Sequence, residues 1–143
     1  MPMTPESICN CLAIRQAARQ ITQLYDAELA ETGLRTTQYS VLAWLSRHGP
    51  MTQQELAEAL VMDRSTLGHN LRPLERDGLV TIAVDREDRR VRRLELTPAG
   101  KQKVESARAA WKRAQERFDS RYGEADAAQL RKLLRRAVDA ATP

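Results

Sequence analysis

Residues 52–97, TQQELAEALVMDRSTLGHNLRPLERDGLVTIAVDREDRRVRRLELT, constrain this chain more than any other stretch. Thr52-Gln53-Gln54-Glu55 has the form of a capping box. The threonine oxygen covers the amide three residues on, and the glutamate reaches back to the threonine amide. It opens a short helix whose apolar positions, Leu56, Ala57 and Leu60, share one side. Asp63 stands where a cap is needed for a second helix to about Arg76, and Gly78 follows where a left-handed residue closes a helix. Residues 79–84 and 91–96 read as strands joined by the loop 85–90. Two short helices followed by an arginine-tipped hairpin describe a helix-turn-helix with a β-hairpin wing.

The flanks are helical. Thr4-Pro5-Glu6 predicts a helix start, a hydroxyl cap followed by a proline and an acid. That helix runs to about Leu29, repeats Cys11, Ile14, Ala18, Ile21 and Tyr25 at three- or four-residue spacing, and is stopped by Gly33. Another helix, about 37–47, carries Val41, Leu42, Trp44 and Leu45 and ends at His48-Gly49-Pro50. Thr97-Pro98-Ala99-Gly100 opens a third, with Val104, Ala107, Trp111, Ala114 and Phe118 in phase until it breaks near Tyr122-Gly123. A last helix carries Leu130, Leu133, Leu134, Ala137 and Val138. The expected fold is mainly α with a small β-hairpin wing. One domain spans 1–143, with a winged helix-turn-helix at about 36–97 and dimerisation helices at about 4–32 and 98–141. The outer helices expose more apolar stripe than one small core can cover, which implies pairing with a second copy.

Charge narrows the partner. The net charge is +4, and REDRRVRR at 86–93 holds five arginines against two acids. A basic loop of this kind suits a phosphate-rich partner. Six aromatics in 143 residues weigh against a single-strand reader, which needs stacking platforms. The apolar runs fall far short of the roughly 20 residues that span a membrane, and the N-terminus lacks signal-peptide character, so a cytoplasmic location is expected. A structural disulfide is not expected there, and Cys9, Cys11, His48 and His69 lack zinc-ligand spacing. No carboxylate pair, Ser/His/Asp set or phosphate-cradling glycine loop supports an enzyme, and no cofactor is implied.

The fourth helix and the wing carry the chemistry. Leu67, Leu71 and Leu74 form one edge of that helix, while Ser65, Gly68, His69, Arg72 and Arg76 share the opposite face. That face lacks acids and includes small residues, as a helix in a DNA major groove requires. With the adjoining Arg64, Thr66 and Asn70 it can meet base edges or phosphates. The plain alternative is a solvated surface, which the flanking helix and wing argue against. Gly68 and Pro73 each cost helix stability, and they predict a bend near residues 69–73. In the loop, Arg86, Arg89 and Arg90 can reach a narrow minor groove, with Asp88 orienting Arg90 or Arg89. The alternative there is a solvated basic loop. A winged helix serving only protein contacts would instead show an apolar or acidic face on the fourth helix.

The segment DRSTL…LERDGLV…DREDRRVRRLELTPAG, residues 63–100, resembles the MarR family of winged-helix bacterial transcription regulators. The resemblance combines the capped helix, the D-x-R wing tip of Asp88 and Arg90, and the LTPAG helix start. It implies a homodimer built on the first and last helices, a pseudo-palindromic operator in double-stranded DNA, and repression relieved by a small ligand or oxidant. It places Ser65, Thr66, His69, Asn70 and Arg72 at the major groove and Arg90 in the minor groove. Gly68-His69 and Thr81 depart from the family's usual residues, so its operator preferences do not carry over.

The resemblance also suggests two switches. In the hydroperoxide-sensing branch, a reactive cysteine precedes by fourteen residues a tyrosine that bonds to it, and Cys11 and Tyr25 reproduce that spacing. Arg15, one turn later, favours a thiolate. Thr36 stands where a second tyrosine is expected, and the other reading of Cys11 is a small residue buried for packing. The family's ligand pocket would involve residues near Arg15, Arg19, Tyr39 and Trp44. Arginines beside aromatics suit an aromatic acid, and the competing reading makes Tyr39 and Trp44 core residues.

Overall fold

The structure, a computed structural model, describes residues 4–143. A 3-10 turn at Pro5–Ile8 precedes helix α1, Asn10–Leu29. The single helix expected from Thr4 is therefore in two pieces. Cys9 is extended (φ −75°, ψ 109°), which interrupts the helical ladder, and its Sγ accepts the Leu12 amide at 3.4 Å. The Cys9 thiol caps α1. After a 3-10 turn at Ala30–Thr32, Gly33 adopts φ +77° and donates its amide to the Ala30 carbonyl. Helix α2, Thr36–His48, begins where the Thr36 amide donates to Asp26 Oδ1 of α1 at 2.7 Å, a carboxylate at the positive end of a helix dipole.

Met51–Thr52 forms strand β1, which the sequence pattern does not announce. It pairs antiparallel with β3 (Arg92–Leu96), Met51 opposite Leu94 and Thr52 opposite Arg93. Two residues offer no alternation to read, and their pairing is set some forty residues away in sequence. Thr52 also caps α3, Gln53–Leu60, through the expected reciprocal bonds with Glu55 at 3.0 and 3.2 Å. Helix α4, Arg64–Arg76, starts on Asp63, whose Oδ1 accepts the Thr66 amide at 2.7 Å, and runs across Pro73. Between α3 and α4 the chain turns on Val61, a β-branched residue with φ 53°. Strand β2, Val80–Val84, completes a sheet of order β1-β3-β2, with Val80 opposite Leu96 and Val84 opposite Arg92.

Helices α5, Pro98–Tyr122, and α6, Glu124–Ala141, follow, parted at Gly123. The first turn of α5 is seated against the end of α4. Thr97 donates its amide to the Leu79 carbonyl (3.1 Å) and its hydroxyl to the Gly78 carbonyl (2.6 Å), and accepts the Gly100 amide (3.0 Å). Gly100 is buried there so tightly that a Cβ would lie 2.0 Å from the Leu79 oxygen. One core joins α1 to α5 and the sheet: Leu29 of α1, Leu42 of α2, Leu56 of α3, Leu67 and Leu71 of α4, Leu94 of β3 and Val104 of α5 are fully buried.

The later half of α1 is fastened to α5. Glu28 accepts from Arg113 Nε (3.3 Å) and Arg117 Nη1 (2.6 Å), Arg113 also pairs with Glu31, and the Tyr25 hydroxyl donates to Gln115. Most of residues 10–20 are exposed. So are Ile14, Leu133, Leu134 and Val138, each 41–48% accessible, an apolar surface the chain does not cover itself. Among the described residues no helix is long and apolar enough to cross a membrane.

Candidate nucleic-acid interface

Leu67, Leu71 and Leu74 anchor α4 in the core, and that fixes which side faces out. Ser65, His69, Arg72 and Arg76 are exposed together, with Gly68 half-buried among them and open space where its Cβ would stand. Arg64 and Thr66 are exposed at the amino-terminal end of the helix, and Arg64 donates to Gln54 at 3.4 Å. Asn70 departs from the expectation. It is half-buried and its amide donates to the Thr66 carbonyl at 2.9 Å, so it turns back along its own helix. The Asp63 carboxyl lies below its usual range because it accepts the Thr66 amide, and it stays charged as a cap.

Two aspartates build the wing tip. Asp85 Oδ2 accepts the Asp88 amide at 3.2 Å, while the Asp85 amide donates to the Val91 carbonyl at 2.9 Å and closes the loop. Asp88 then holds Arg90, not Arg89: it accepts the Arg90 amide at 3.0 Å, Nε at 3.2 Å and Nη2 at 3.3 Å. The guanidinium pulls the Asp88 carboxyl below its usual range, with the Arg90 amide adding to the effect. Arg90 is left 91% exposed on a fixed stem. Arg86 and Arg89 are exposed on the same loop. The sequence pattern shows Asp85 only as a loop residue; its place three before Asp88 is the signal that could have found it.

Between wing and helices lies a cleft of about 400 Å³ bordered by Gln53, Gln54, Arg64, Arg90 and Arg92, with Glu55 and Glu58 also on its wall. From sequence Gln53 and Gln54 are only capping-box residues, and the chain brings them beside the wing through the pairing of Thr52 with Arg93.

A separate cavity of about 880 Å³ opens between α2 and α5. Tyr39 and Trp44 line it, and Tyr39 stacks on Trp111 with centroids 6.1 Å apart. Arg15 and Arg19 do not line it; they stand on the exposed first half of α1. Its cations are Arg47 and Arg108, with the His48 ring tilted against Trp44, centroids 4.5 Å apart. The Tyr39 phenol is raised by burial, against which the Arg108 charge acts. Tyr39 is thus both core and wall.

Cys11 is exposed in the single chain and takes no part in that chain's core. It sits on the half of α1 that nothing in its own fold covers. Tyr25 lies on the same helix about 21 Å away along the axis, at 1.5 Å per residue. Its hydroxyl is engaged by Gln115, so no Cys11–Tyr25 bond forms within one chain.

A capped helix pair with an acid-free outer face, an arginine-tipped hairpin and long flanking helices together define the winged helix-turn-helix class. The chain belongs to the MarR family, whose model matches residues 32–91. It is similar to the organic hydroperoxide resistance transcriptional regulator of Bacillus subtilis, 30% identical over 63% of this chain and 61% of the relative. Among solved structures it is similar to the transcriptional regulator MosR of M. tuberculosis in complex with DNA (34% identity, TM-score 0.80, 94% of this chain and 99% of that one). It is also similar to the PcaV transcriptional regulator of Streptomyces coelicolor in complex with its natural ligand (25% identity, TM-score 0.86, 99% and 100%). The matches span 66%, 61% and 55% of the length of three curated relatives.

Proposed function

We propose that this protein is a cytoplasmic, homodimeric transcriptional repressor that binds a pseudo-palindromic operator. Helix α4 enters the major groove through Ser65, His69 and Arg72, and Arg90 enters the adjacent minor groove. The observation that carries this reading is the pairing of an acid-free exposed face on α4 with a guanidinium held in place at the wing tip by Asp88. A DNA-bound relative of the same fold supports it. Two-fold symmetry sets the half-sites about one helical turn apart, roughly 10 bp. A gel shift with the gene's own upstream DNA across a salt series tests the reading. A protein neutralising six to ten phosphates loses roughly 10³–10⁵ in affinity between 50 and 200 mM salt. Absence of a complex at low salt rejects it, and a winged helix used for protein contacts takes its place.

The cavity favours a second element, release by a small aromatic acid. Arg47 and Arg108 supply charge for a carboxylate, and Trp44, Trp111 and Tyr39 supply faces for a ring. The ligand-bound relative supports an effector of this kind. Calorimetry with a benzoate series should give binding that Arg108→Gln abolishes, and the same ligand should release DNA. Flat titrations throughout the series reject the assignment. An oxidant acting on Cys11 is the competing trigger; hydroperoxide would then release DNA from the wild type and not from Cys11→Ser.

A further inference from the structure

A helix in one groove of a duplex and a finger in the next must straddle the sugar-phosphate strand that divides the two grooves. With α4 and the wing so placed, that strand crosses the cleft of about 400 Å³ between α3 and the wing. Arg64, the first residue of α4, borders the cleft on one side and Arg90 of the wing tip on the other. A third guanidinium reaches it. Arg92 shares its side of β3 with the buried Leu94 and Leu96, so it faces the helices, while Arg93 takes the other side. Thr52 pairs with Arg93, and one step further the same register sets Gln53 beside Arg92.

The two acids on the cleft wall are already engaged by uncharged groups. Glu55 belongs to the capping box, where it accepts the Thr52 amide at 3.2 Å. Glu58 accepts Gln54 Nε2 at 3.2 Å. A glutamine amide held by a carboxylate at its nitrogen end offers its oxygen at the other. That oxygen accepts Arg64 Nη2 at 3.4 Å, so Glu58 orients Gln54 and Gln54 holds Arg64 beside the cleft. Arg64 and Arg92 are both exposed, and neither pairs with an acid among the described residues. The single bond to Gln54 leaves the rest of the Arg64 fork for phosphate oxygens.

We infer that this cleft seats the DNA strand running between the two grooves, with Arg64 and Arg92 on its phosphates and Gln54 positioning Arg64. The inference rests on the reading that α4 and Arg90 enter adjacent grooves, and it adds Arg92 and Gln54 to the residues that dock the protein. Contacts to phosphate fix the register of a protein on the duplex and carry no base preference of their own. The cleft therefore sets where α4 lies in its groove, and the α4 face does the reading.

Full-length wild type, Arg92→Ala, Arg64→Ala, Gln54→Ala and the Gln54→Ala/Arg64→Ala double variant are titrated by fluorescence anisotropy from about 50 to 200 mM salt. The probe is a duplex captured from genomic fragments by the wild type, and a matching set carries one uncharged methylphosphonate linkage at successive positions. Each arginine variant should lower the salt slope by about 0.9 and the affinity about 8-fold at 0.1 M salt, the share of one released counterion. The loss should be equal on unrelated DNA. One linkage should cost the wild type as much as Arg92→Ala does, and Arg92→Ala should lose nothing further on it. Gln54→Ala should weaken binding about 2- to 10-fold, the effect of ordering a free arginine, and should change nothing once Arg64 is alanine. The altered side chains are exposed, and the methylphosphonate series on the wild type alters none of them, so the test does not hang on any variant folding. A Gln54→Ala loss that persists beside Arg64→Ala, or no loss at all, overturns the positioning role. An unchanged slope in either arginine variant overturns the seat and leaves DNA binding standing. A wild type that captures no DNA at low salt overturns the reading beneath it.

Discussion

Replacing Gly100 by alanine puts a methyl group 2.0 Å from the Leu79 carbonyl oxygen, 3.0 Å from its carbon and 3.1 Å from Leu96 Cδ2. The obstacle is backbone, and it cannot rotate away, because the Leu79 carbonyl also accepts the Thr97 amide at 3.1 Å. The first turn of α5 must retreat by about 1 Å to restore ordinary contact, which strains the joint between α4, β2 and α5. Overpacking of this kind costs about 1–3 kcal/mol. Loosening the Thr97–Leu79 bond adds about 1 kcal/mol, and the better helix propensity of alanine returns at most about 1 kcal/mol. The net loss is about 1–3 kcal/mol, which lowers Tm by about 3–15 °C for a chain of this size. Gly68 is the internal control. It lies inside α4 with nothing within 4 Å of the place a Cβ would take, so Gly68→Ala should gain up to about 1 kcal/mol and raise Tm by about 3–5 °C. Circular dichroism melts at matched protein concentration, with urea midpoints alongside, read both signs. If Gly100→Ala melts within about 2 °C of the wild type, the close approach does not govern that position.

Val61 offers a gain of another kind: at φ 53° and 68% exposure it strains the backbone while burying little. Val61→Gly should stabilise the chain by about 0.5–1 kcal/mol after the added freedom of glycine in the unfolded state is counted, and a lower urea midpoint refutes the strain. Asp63 makes the fold acid-sensitive. Its carboxyl is held below the ordinary value of 3.8 by the Thr66 amide, so its contribution is complete above that value and is lost as pH falls through the lowered one. The Tm deficit of Asp63→Ala should therefore be largest near neutrality and shrink in acid; a deficit constant down to about pH 2.5 contradicts the cap. On DNA, Arg90→Ala should weaken every operator and reduce the salt slope by about one, whereas Arg72→Ala should relax preference at one base pair. Equal and small losses from both reject the assigned roles.

What the chain discloses in advance is what it encodes over three or four residues. The caps at Thr52, Asp63 and Thr97 each bond an amide three residues on, so donor and acceptor stand together in the sequence as they do in space. The Asp88–Arg90 pair is as local, and it too is legible. Strand β1 is not, because its partner Leu94 lies across α3, α4 and β2. Cys9 escapes notice for a different reason: sulfur is a weak acceptor, and Thr4-Pro5-Glu6 gives the stronger local signal for a helix start. The cavity divides along the same line. Tyr39 and Trp44 stand out within α2, but Arg108 reaches their wall only because α5 packs on α2, and nothing near residue 44 foretells it. Gly100 joins the two kinds of information. The sequence marks it as part of a helix start, where other residues would serve, and only the carbonyl of Leu79, twenty-one residues earlier, makes glycine necessary. Local chemistry thus specifies which elements form, and long-range packing decides which of their residues are irreplaceable.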